Sequence, residues 1–146
     1  MFSNSVSRIG SVLSAATMAC LLSACGGGGG GGGADAIVAK GDPVHGKELY
    51  QQCAGCHELQ KNSVGPHHCG LIGRAAGSVP DYDYSEAMKA SGITWTPEKL
   101  DEFLTSPIAY VNGTKMGFAG FADAKDRADV ISYLAQANND PAVCPR

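Results

Sequence analysis

The sequence predicts an all-α fold in which short helices alternate with long loops. Two helix starts are marked by a capping residue followed by proline, at Asp42–Pro43 and Thr96–Pro97. Val130, Leu134 and Ala137 follow the i, i+4, i+7 spacing of one helix face. The stretches between these segments are rich in glycine and proline and lack periodicity, which is typical of loops.

The helices are expected in the following order along the chain. The first begins after Asp42 and runs to about Cys56, and the second is the short stretch "YSEAMKAS". "TPEKLDEFLTS" predicts a third helix that stops before Pro107. Asp123 is expected to cap the last helix, which covers about 124–137.

The first 24 residues, 1–24, have the pattern of a secretory signal peptide. Arg8 supplies a positive charge, and the apolar stretch after it is too short to span a bilayer. The end of this stretch, Leu22-Ser23-Ala24-Cys25, resembles the lipobox of bacterial lipoproteins, where the chain is cut before the cysteine and the thiol is diacylated. Cys25 is therefore the expected lipidation site. The alternative is cleavage by the ordinary signal peptidase, with Cys25 incidental.

Residues 25–40 are expected to form a flexible linker, because the glycine run from Gly26 to Gly33 has very high backbone freedom. A single-domain head then covers residues 41–146. The part from Cys25 onward keeps all 14 acidic residues and all of the 11 basic ones except Arg8, a formal charge of −4. It has no basic stripe, so nucleic acid is not an expected partner.

The stretch "CAGCHELQKNSVGPHHCG", residues 53–70, holds the residues with the most specific chemistry. Cys53 and Cys56, with two of His57, His67, His68 and Cys69, are compatible with a zinc site. A C-x-x-C pair also occurs in redox dithiols, although those follow a strand and the flanks here are helical. The third interpretation is C-x-x-C-H, the attachment motif of c-type haem.

Covalent haem attachment explains this motif best. Cysteines at i and i+3 lie on one side of a helical turn, from which their sulfurs reach two carbons of a porphyrin. His57, the next residue, then falls under the ring and ligates iron, a placement that a zinc site does not require. Export also favours haem, because c-type haem is attached outside the cytoplasm.

If a thioether is the second iron ligand, Met116 is the candidate. Met1 and Met18 belong to the signal peptide, and Met88 lies in a helical segment where a packing role is expected. Met116 lies in the glycine-rich loop "NGTKMGFAGF". The alternative is that Met116 is an ordinary loop methionine.

Two further cysteines, Cys69 and Cys144, remain in the head. In an exported protein the compartment favours disulfides, so these two are expected to pair. The alternative is two free thiols.

Taken in order, the motifs resemble those of the class I cytochromes c, the mitochondrial and bacterial electron carriers. The similarity covers about residues 41–137 and runs through "CAGCH", "GP", "GLIGRAAGS", "YDYSEAMKASGITWTPEKLDEFLTSP", "VNGTKMGFAGF" and "RADVISYLAQ". The resemblance implies a class I cytochrome c fold, with helices and long loops wrapped around one covalently bound haem c.

The resemblance also implies roles for individual residues. Cys53 and Cys56 would be the thioether anchors, and His57 and Met116 the axial iron ligands. Pro66 would accept a hydrogen bond from the ligating imidazole. The other expected haem contacts are Arg74, Tyr84 and Trp95 at a propionate and Phe118 over the exposed edge.

The sequence departs from the family pattern at several places. Phe103 stands where many relatives have a tyrosine beside the methionine, and Cys69 stands where they often have a histidine. Lys115 is kept on a face that is lysine-rich in the family, whereas Asp81 and Glu86 nearby are acidic. Docking to acidic partner surfaces is therefore less favoured than in the family.

Some residues outside the motif also carry expectations. Gly46 and Tyr133 match a helix-crossing contact of the family, in which a missing side chain permits close approach. His45, His67 and His68 are expected at the protein surface.

The expected function is that of a monomeric electron carrier, not an enzyme, tethered by lipid on the periplasmic side of a bacterial cell envelope. The family implies exchange with redox complexes such as a quinol-oxidising complex, a terminal oxidase or a photosynthetic centre. The alternative is a haem peroxidase, or a gas-binding or sensor cytochrome, in which Met116 is a labile ligand.

Overall fold

The computed structural model describes residues 32–146, with side chains from residue 35 onward. The predicted signal peptide, Cys25 and the first glycines of the linker lie outside the described residues. The described part is helical, and its one isolated β-bridge joins Ala75 to Thr94. The helices are α1 (Gly32–Lys40), α2 (Pro43–Leu49), α3 (Gln51–Ala54), α4 (Glu86–Ala90), α5 (Pro97–Thr105), α6 (Pro107–Tyr110) and α7 (Ala124–Asn139). None of the helices in this range is long and apolar enough to cross a membrane.

The helix starts predicted from capping residues are confirmed. The side chain of Asp42 accepts hydrogen bonds from the first turn of α2, and Thr96 and Asp123 do the same for α5 and α7. Ser85 caps the short α4 in the same way. These side chains satisfy backbone N–H groups that have no partner within the helix.

The structure also differs from the predicted helices in two places. The first helix is divided into α2 and α3 at Tyr50. Pro107 was expected only to follow the end of α5, but it also occupies the first turn of α6. Proline is accepted there because the first helical N–H groups have no intrahelical acceptor.

Helix α1 shows that the predicted linker extends too far along the chain. Residues 25–40 were expected to form a flexible spacer, yet Gly32–Lys40 is helical and packs against α5 and α7. Ile37 and Val38 lie against the hydrophobic core and are partly buried. Burial of these two apolar side chains gives α1 the tertiary support that a short helix needs.

The crossing of α2 and α7 is the main helix–helix contact of the described head. Gly46 is buried at this crossing, where an added Cβ would collide with the backbone carbonyl of Asp129 and approach Tyr133 Cβ to 3.0 Å. The close contact expected between Gly46 and Tyr133 is therefore confirmed. Val130 and Ile131 of α7 are 0% exposed and form the centre of the core.

The long loop between α3 and α4 is held by backbone hydrogen bonds near its start and in its middle. The Gly65 N–H donates to the Cys56 carbonyl at 2.7 Å, which closes the segment that follows α3. Further along, Trp95 N–H donates to the Arg74 carbonyl at 2.9 Å, and Gly73 N–H donates to the Trp95 carbonyl at 2.8 Å. These bonds bring Arg74 next to the N-terminus of α5.

Candidate haem-binding site

The C-x-x-C-H motif forms the end of α3 and the turn that follows it. The backbone N–H groups of Cys56 and His57 both donate to the Cys53 carbonyl, at 3.0 and 2.8 Å. This helical turn places the cysteines at i and i+3 and the histidine directly after them. Both thiols are free, with Cys53 partly buried and Cys56 exposed. The arrangement has the form required for two thioether bonds beside an iron ligand.

His57 has one tautomer fixed by its surroundings. Its Nδ1 lies 2.8 Å from the Pro66 carbonyl oxygen. Because a carbonyl oxygen can only accept, Nδ1 must carry the proton, and Nε2 keeps the lone pair that binds a metal. The ring is 8% exposed, and this burial lowers the pKa of His57, although the Pro66 bond opposes the shift. His57 is therefore a neutral imidazole with the correct nitrogen available to iron.

A redox dithiol is not supported by the electrostatics of Cys53. Burial raises the pKa of this thiol to about 11, and the nearby Cys56 adds to the shift. A reactive C-x-x-C cysteine needs the opposite change, a lowered pKa that produces thiolate at neutral pH. The Cys53 thiol is therefore poorly suited to disulfide exchange.

A zinc cage is not formed by these residues either. Within residues 35–146, the only group of three Cys, His, Asp or Glu side chains close enough to share a metal is His45, Asp126 and Asp129. That group lies on α2 and α7, and its Asp129 carboxylate already accepts a bond from Lys125. The cysteines and histidines of residues 53–70 do not converge as zinc ligands.

Of the expected propionate contacts Arg74, Tyr84 and Trp95, the structure joins Arg74 and Trp95 by a backbone hydrogen bond just before α5, and Tyr84 lies just before α4. The Arg74 guanidinium donates to the carbonyls of Cys69 and His67, at 2.9 and 2.8 Å. Among the described residues no carboxylate lies within ion-pair distance of this half-buried cation, and burial lowers the pKa of Arg74. A partly buried guanidinium of this kind is suited to the carboxylate of a bound group.

Tyr84 and Trp95, the other two residues of this set, each pack against another aromatic ring, Tyr84 against Tyr82 and Trp95 against Phe103. Trp95 is 7% exposed and packs on Phe103, with ring centroids 4.9 Å apart. Burial raises the pKa of Tyr84, and the positive charge of Arg74 acts in the opposite direction.

Met116 lies in the loop between α6 and α7. Its side chain is partly buried against the hydrophobic core, and its N–H donates to Thr114 Oγ1 at 3.2 Å. The loop is anchored behind it, since Phe121 N–H donates to the Leu104 carbonyl at 2.8 Å. Phe118 packs edge-on against Phe121 at 5.1 Å. The thioether is therefore carried by a loop that is anchored on its C-terminal side and packs against the hydrophobic core.

His68 was expected at the surface, and the structure contradicts this expectation. The ring stacks on the ring of His57 with centroids 4.3 Å apart. Burial lowers the pKa of His68 well below its usual value, and the proximity of His57, Arg74 and His67 adds to the effect. Loop residues without periodicity gave no signal of this inward placement.

His67 is partly buried and has both its N–H and its ring bonded to Asn62.

His45 and Asp129 form a second polar contact that the sequence did not indicate. The side chain of Asp129 is 0% exposed. Its carboxylate accepts hydrogen bonds from His45 at 2.8 Å, from Lys125 at 2.7 Å and from the Asp42 N–H at 2.7 Å. Burial alone would raise the pKa of Asp129, but these bonds outweigh it and lower the pKa to about 2. His45 was expected in solvent, but it is half-exposed and paired with Asp129.

Cys69 and Cys144 are joined by a disulfide in the structure, with Cα atoms 5.3 Å apart. The tail is also held by Gln60 Nε2, which donates to the Val143 carbonyl at 2.7 Å. The bridge links the loop after the haem motif to the segment after α7, across 75 positions of sequence.

Comparison with known proteins agrees with this geometry. The family model described as cytochrome c matches residues 43–138. Cytochrome c2 of Rhodomicrobium vannielii is 48% identical over 100 residues, which are 66% of this chain and 80% of that protein. The c-type cytochrome cy of Rhodobacter capsulatus is 49% identical over 102 residues, which are 68% of this chain and 51% of that protein. The solved structure of cytochrome cH from Methylobacterium extorquens matches with a TM-score of 0.64 and 40% identity, covering 66% of this chain and 99% of that one.

An all-helical head with a C-x-x-C-H turn and a neutral buried histidine defines a small c-type haem protein. The chain belongs to the cytochrome c family, and its fold is the class I cytochrome c fold. Haem c, bound covalently, is the cofactor of this family. The free thiols, the available Nε2 of His57 and the cation at Arg74 fit such a group.

Proposed function

We propose that this protein is a membrane-tethered electron carrier with one haem c. Cys53 and Cys56 would hold the haem by thioether bonds, and His57 and Met116 would be the two protein ligands of its iron. The remaining contacts are the Pro66 carbonyl at the imidazole, Arg74, Tyr84 and Trp95 at a propionate, and Phe118 at the haem edge.

The observation that carries this proposal is the fixed tautomer of His57. A donor bond from Nδ1 to the Pro66 carbonyl, 2.8 Å long, directs the Nε2 lone pair to a metal and makes it a stronger ligand. The haem iron supplies a one-electron redox couple, and methionine as second ligand raises its reduction potential. Since two protein ligands leave no iron position for a substrate, electron transfer is favoured over catalysis.

A haem peroxidase or gas sensor is the alternative, and one residue favours it. Phe103 has no hydroxyl with which to bond the methionine, and it packs instead between Trp95 and Tyr110. The anchored loop around Met116 supports the electron carrier, because bonds such as Phe121 N–H to the Leu104 carbonyl restrain the ligand.

Tethering rests on the sequence before residue 32 together with the packing of α1. Because α1 begins at Gly32 and packs on α5 and α7, the spacer between a lipidated Cys25 and the folded head ends at residue 31. A glycine-rich coil of this length has an end-to-end distance of about 15 Å. The head would then stay close to the periplasmic face of the membrane and turn about a short tether.

The electron-transfer partners are proposed to be membrane redox complexes, such as a quinol-oxidising complex, a terminal oxidase or a photosynthetic centre. Lys115 donates to Asp83 at 2.6 Å, and Lys99 donates to Glu102 at 2.9 Å. Because these cations are already paired, docking should depend on salt only weakly. The protein is expected to act as a monomer.

The proposal is tested by spectroscopy and potentiometry of the purified, export-matured protein. A six-coordinate low-spin ferric spectrum with the weak red band of methionine-to-iron ligation supports the carrier. A high-spin spectrum with rapid binding of carbon monoxide or peroxide supports the alternative. Mass spectrometry of the peptide that contains Cys53 and Cys56 detects covalent haem, and that of the N-terminal peptide detects lipid on Cys25.

A further inference from the structure

A second histidine lies against the face of the proposed iron ligand. The rings of His57 and His68 are stacked, with an interplanar angle of 20° and centroids 4.3 Å apart. The Pro66 carbonyl binds the Nδ1 edge of the His57 ring. The two contacts restrain different movements: the hydrogen bond holds one edge, and the stacked ring opposes rotation about that bond.

His68 is itself held in place by several bonds. Its N–H lies 3.1 and 3.2 Å from the carbonyls of Glu58 and Leu59, and its own carbonyl accepts from Asn138 of α7. Its ring Nδ1 is 3.0 Å from the hydroxyl of Tyr50. The ring is therefore fixed both through the backbone and through its side chain.

The same hydrogen bond also satisfies the buried hydroxyl of Tyr50. Its side chain is 5% exposed, and burial raises its pKa strongly. A hydroxyl in an apolar interior without a hydrogen-bond partner costs free energy, and His68 is the partner here. On its other side Tyr50 packs on Tyr133 of α7, with ring centroids 5.2 Å apart. A continuous set of rings thus connects the core of the helix pair to His57.

We propose that Tyr50 and His68 form a positioning pair, which sets the plane of the His57 imidazole toward the haem iron and through it the reduction potential. This inference rests on the proposed role of His57 as an iron ligand. The orientation of an axial imidazole decides which iron orbital overlaps its π system. The distribution of unpaired spin over ferric haem then follows that orientation, and the paramagnetic shifts of the haem methyl protons report it.

The test compares three variants of the haem-loaded protein. His68→Leu replaces the stacked ring with an apolar side chain, and Tyr50→Phe keeps the aromatic ring but removes the hydroxyl. His67→Leu is the matched control, because His67 is the neighbouring histidine and bonds to Asn62 rather than to His57. Proton NMR of the ferric form and potentiometric titration are measured for each variant.

The expected result is a changed spread of the shifted methyl resonances and a shifted midpoint potential in His68→Leu, with a smaller change in Tyr50→Phe. The control should match the parent in both measurements. Methyl shifts and potential in His68→Leu equal to those of the parent would overturn the proposal. If His68→Leu does not load haem, Tyr50→Phe decides, and parental methyl shifts in that variant also overturn it. Failure of the proposed function is separate, since it would appear in the parent as a spectrum without histidine–methionine ligation.

Discussion

Gly65 illustrates how a missing side chain shapes the site at the scale of one residue. A Cβ at this position would collide with the His57 ring, coming within 2.7 Å of its Nε2. The loop can therefore cross the imidazole closely enough for Pro66 to accept the Nδ1–H bond. The glycine is needed for this close approach.

Gly65→Ala is predicted to displace either the loop or the His57 ring. We expect a loss of about 1–3 kcal/mol in the free energy of unfolding, as for other overpacked sites, and a lower yield of low-spin haem protein. Gly55→Ala in the same motif is the control, because an added Cβ there meets nothing within 4 Å. Urea unfolding and the visible spectrum are measured on both. Equal behaviour of the two variants would show that the Gly65 contact is unimportant.

The sequence predicts those parts of the site in which the functional residues are neighbours along the chain. Cys53, Cys56 and His57 follow one another on a single turn, so their sequence spacing is also their spatial relation. His68 and Asp129 were not predicted, because their partners come from distant parts of the chain. A lone histidine in a loop and an aspartate on a helix resemble solvated residues until the packing is known.

At the scale of elements, the crossing of α2 and α7 depends on Gly46. A methyl group there would collide with the backbone of α7 at Asp129, which cannot move without shifting the whole helix. Gly46→Ala is predicted to lower the free energy of unfolding by about 1–3 kcal/mol or more. The measurement is urea unfolding of the haem-loaded protein, with Gly117→Ala as control, since a Cβ at Gly117 meets nothing within 4 Å. A free-energy loss no greater than that of the control would contradict the prediction.

The same pair of helices should respond to pH through His45. The hydrogen bond to Asp129 raises the pKa of His45, Asp126 acts in the same direction, and Lys125 opposes it. Because the folded-state pKa lies above the usual 6.5, this contribution is complete below pH 6.5 and is lost as pH rises through the raised value. His45→Gln should therefore destabilise the protein more at pH 5.5 than at pH 8.5. Unfolding titrations at both pH values test this, and a pH-independent difference would contradict it.

Helix caps explain why most element boundaries were predictable, whereas helix α1 was not. Asp42, Thr96 and Asp123 are local signals that act on the next turn alone. Helix α1 begins in a glycine run with poor helix propensity, and packing of Ile37 and Val38 on the core supports it. Such tertiary support is not visible in the local sequence.

At the scale of the whole molecule, the Cys69–Cys144 bridge closes a span of 75 positions. The chain-entropy model gives about 4 kcal/mol for a loop of this length, and the covalent haem reduces that gain by already restricting the unfolded chain. Replacing both cysteines with alanine is predicted to lower the free energy of unfolding by up to this amount. Thiol counting on unfolded, unreduced protein should find neither cysteine free. Detection of two free thiols would disprove the bridge.

The central claim is that histidine and methionine hold the iron of a one-electron carrier, and Met116→Ala tests it most directly. The measurement is the visible spectrum and midpoint potential of the purified, haem-loaded variant, with Met88→Leu as control because Met88 is buried in the core at 7% exposure. We predict that Met116→Ala loses the weak red band and has a lower midpoint potential, whereas the control keeps both. An unchanged spectrum and potential in Met116→Ala would contradict the account.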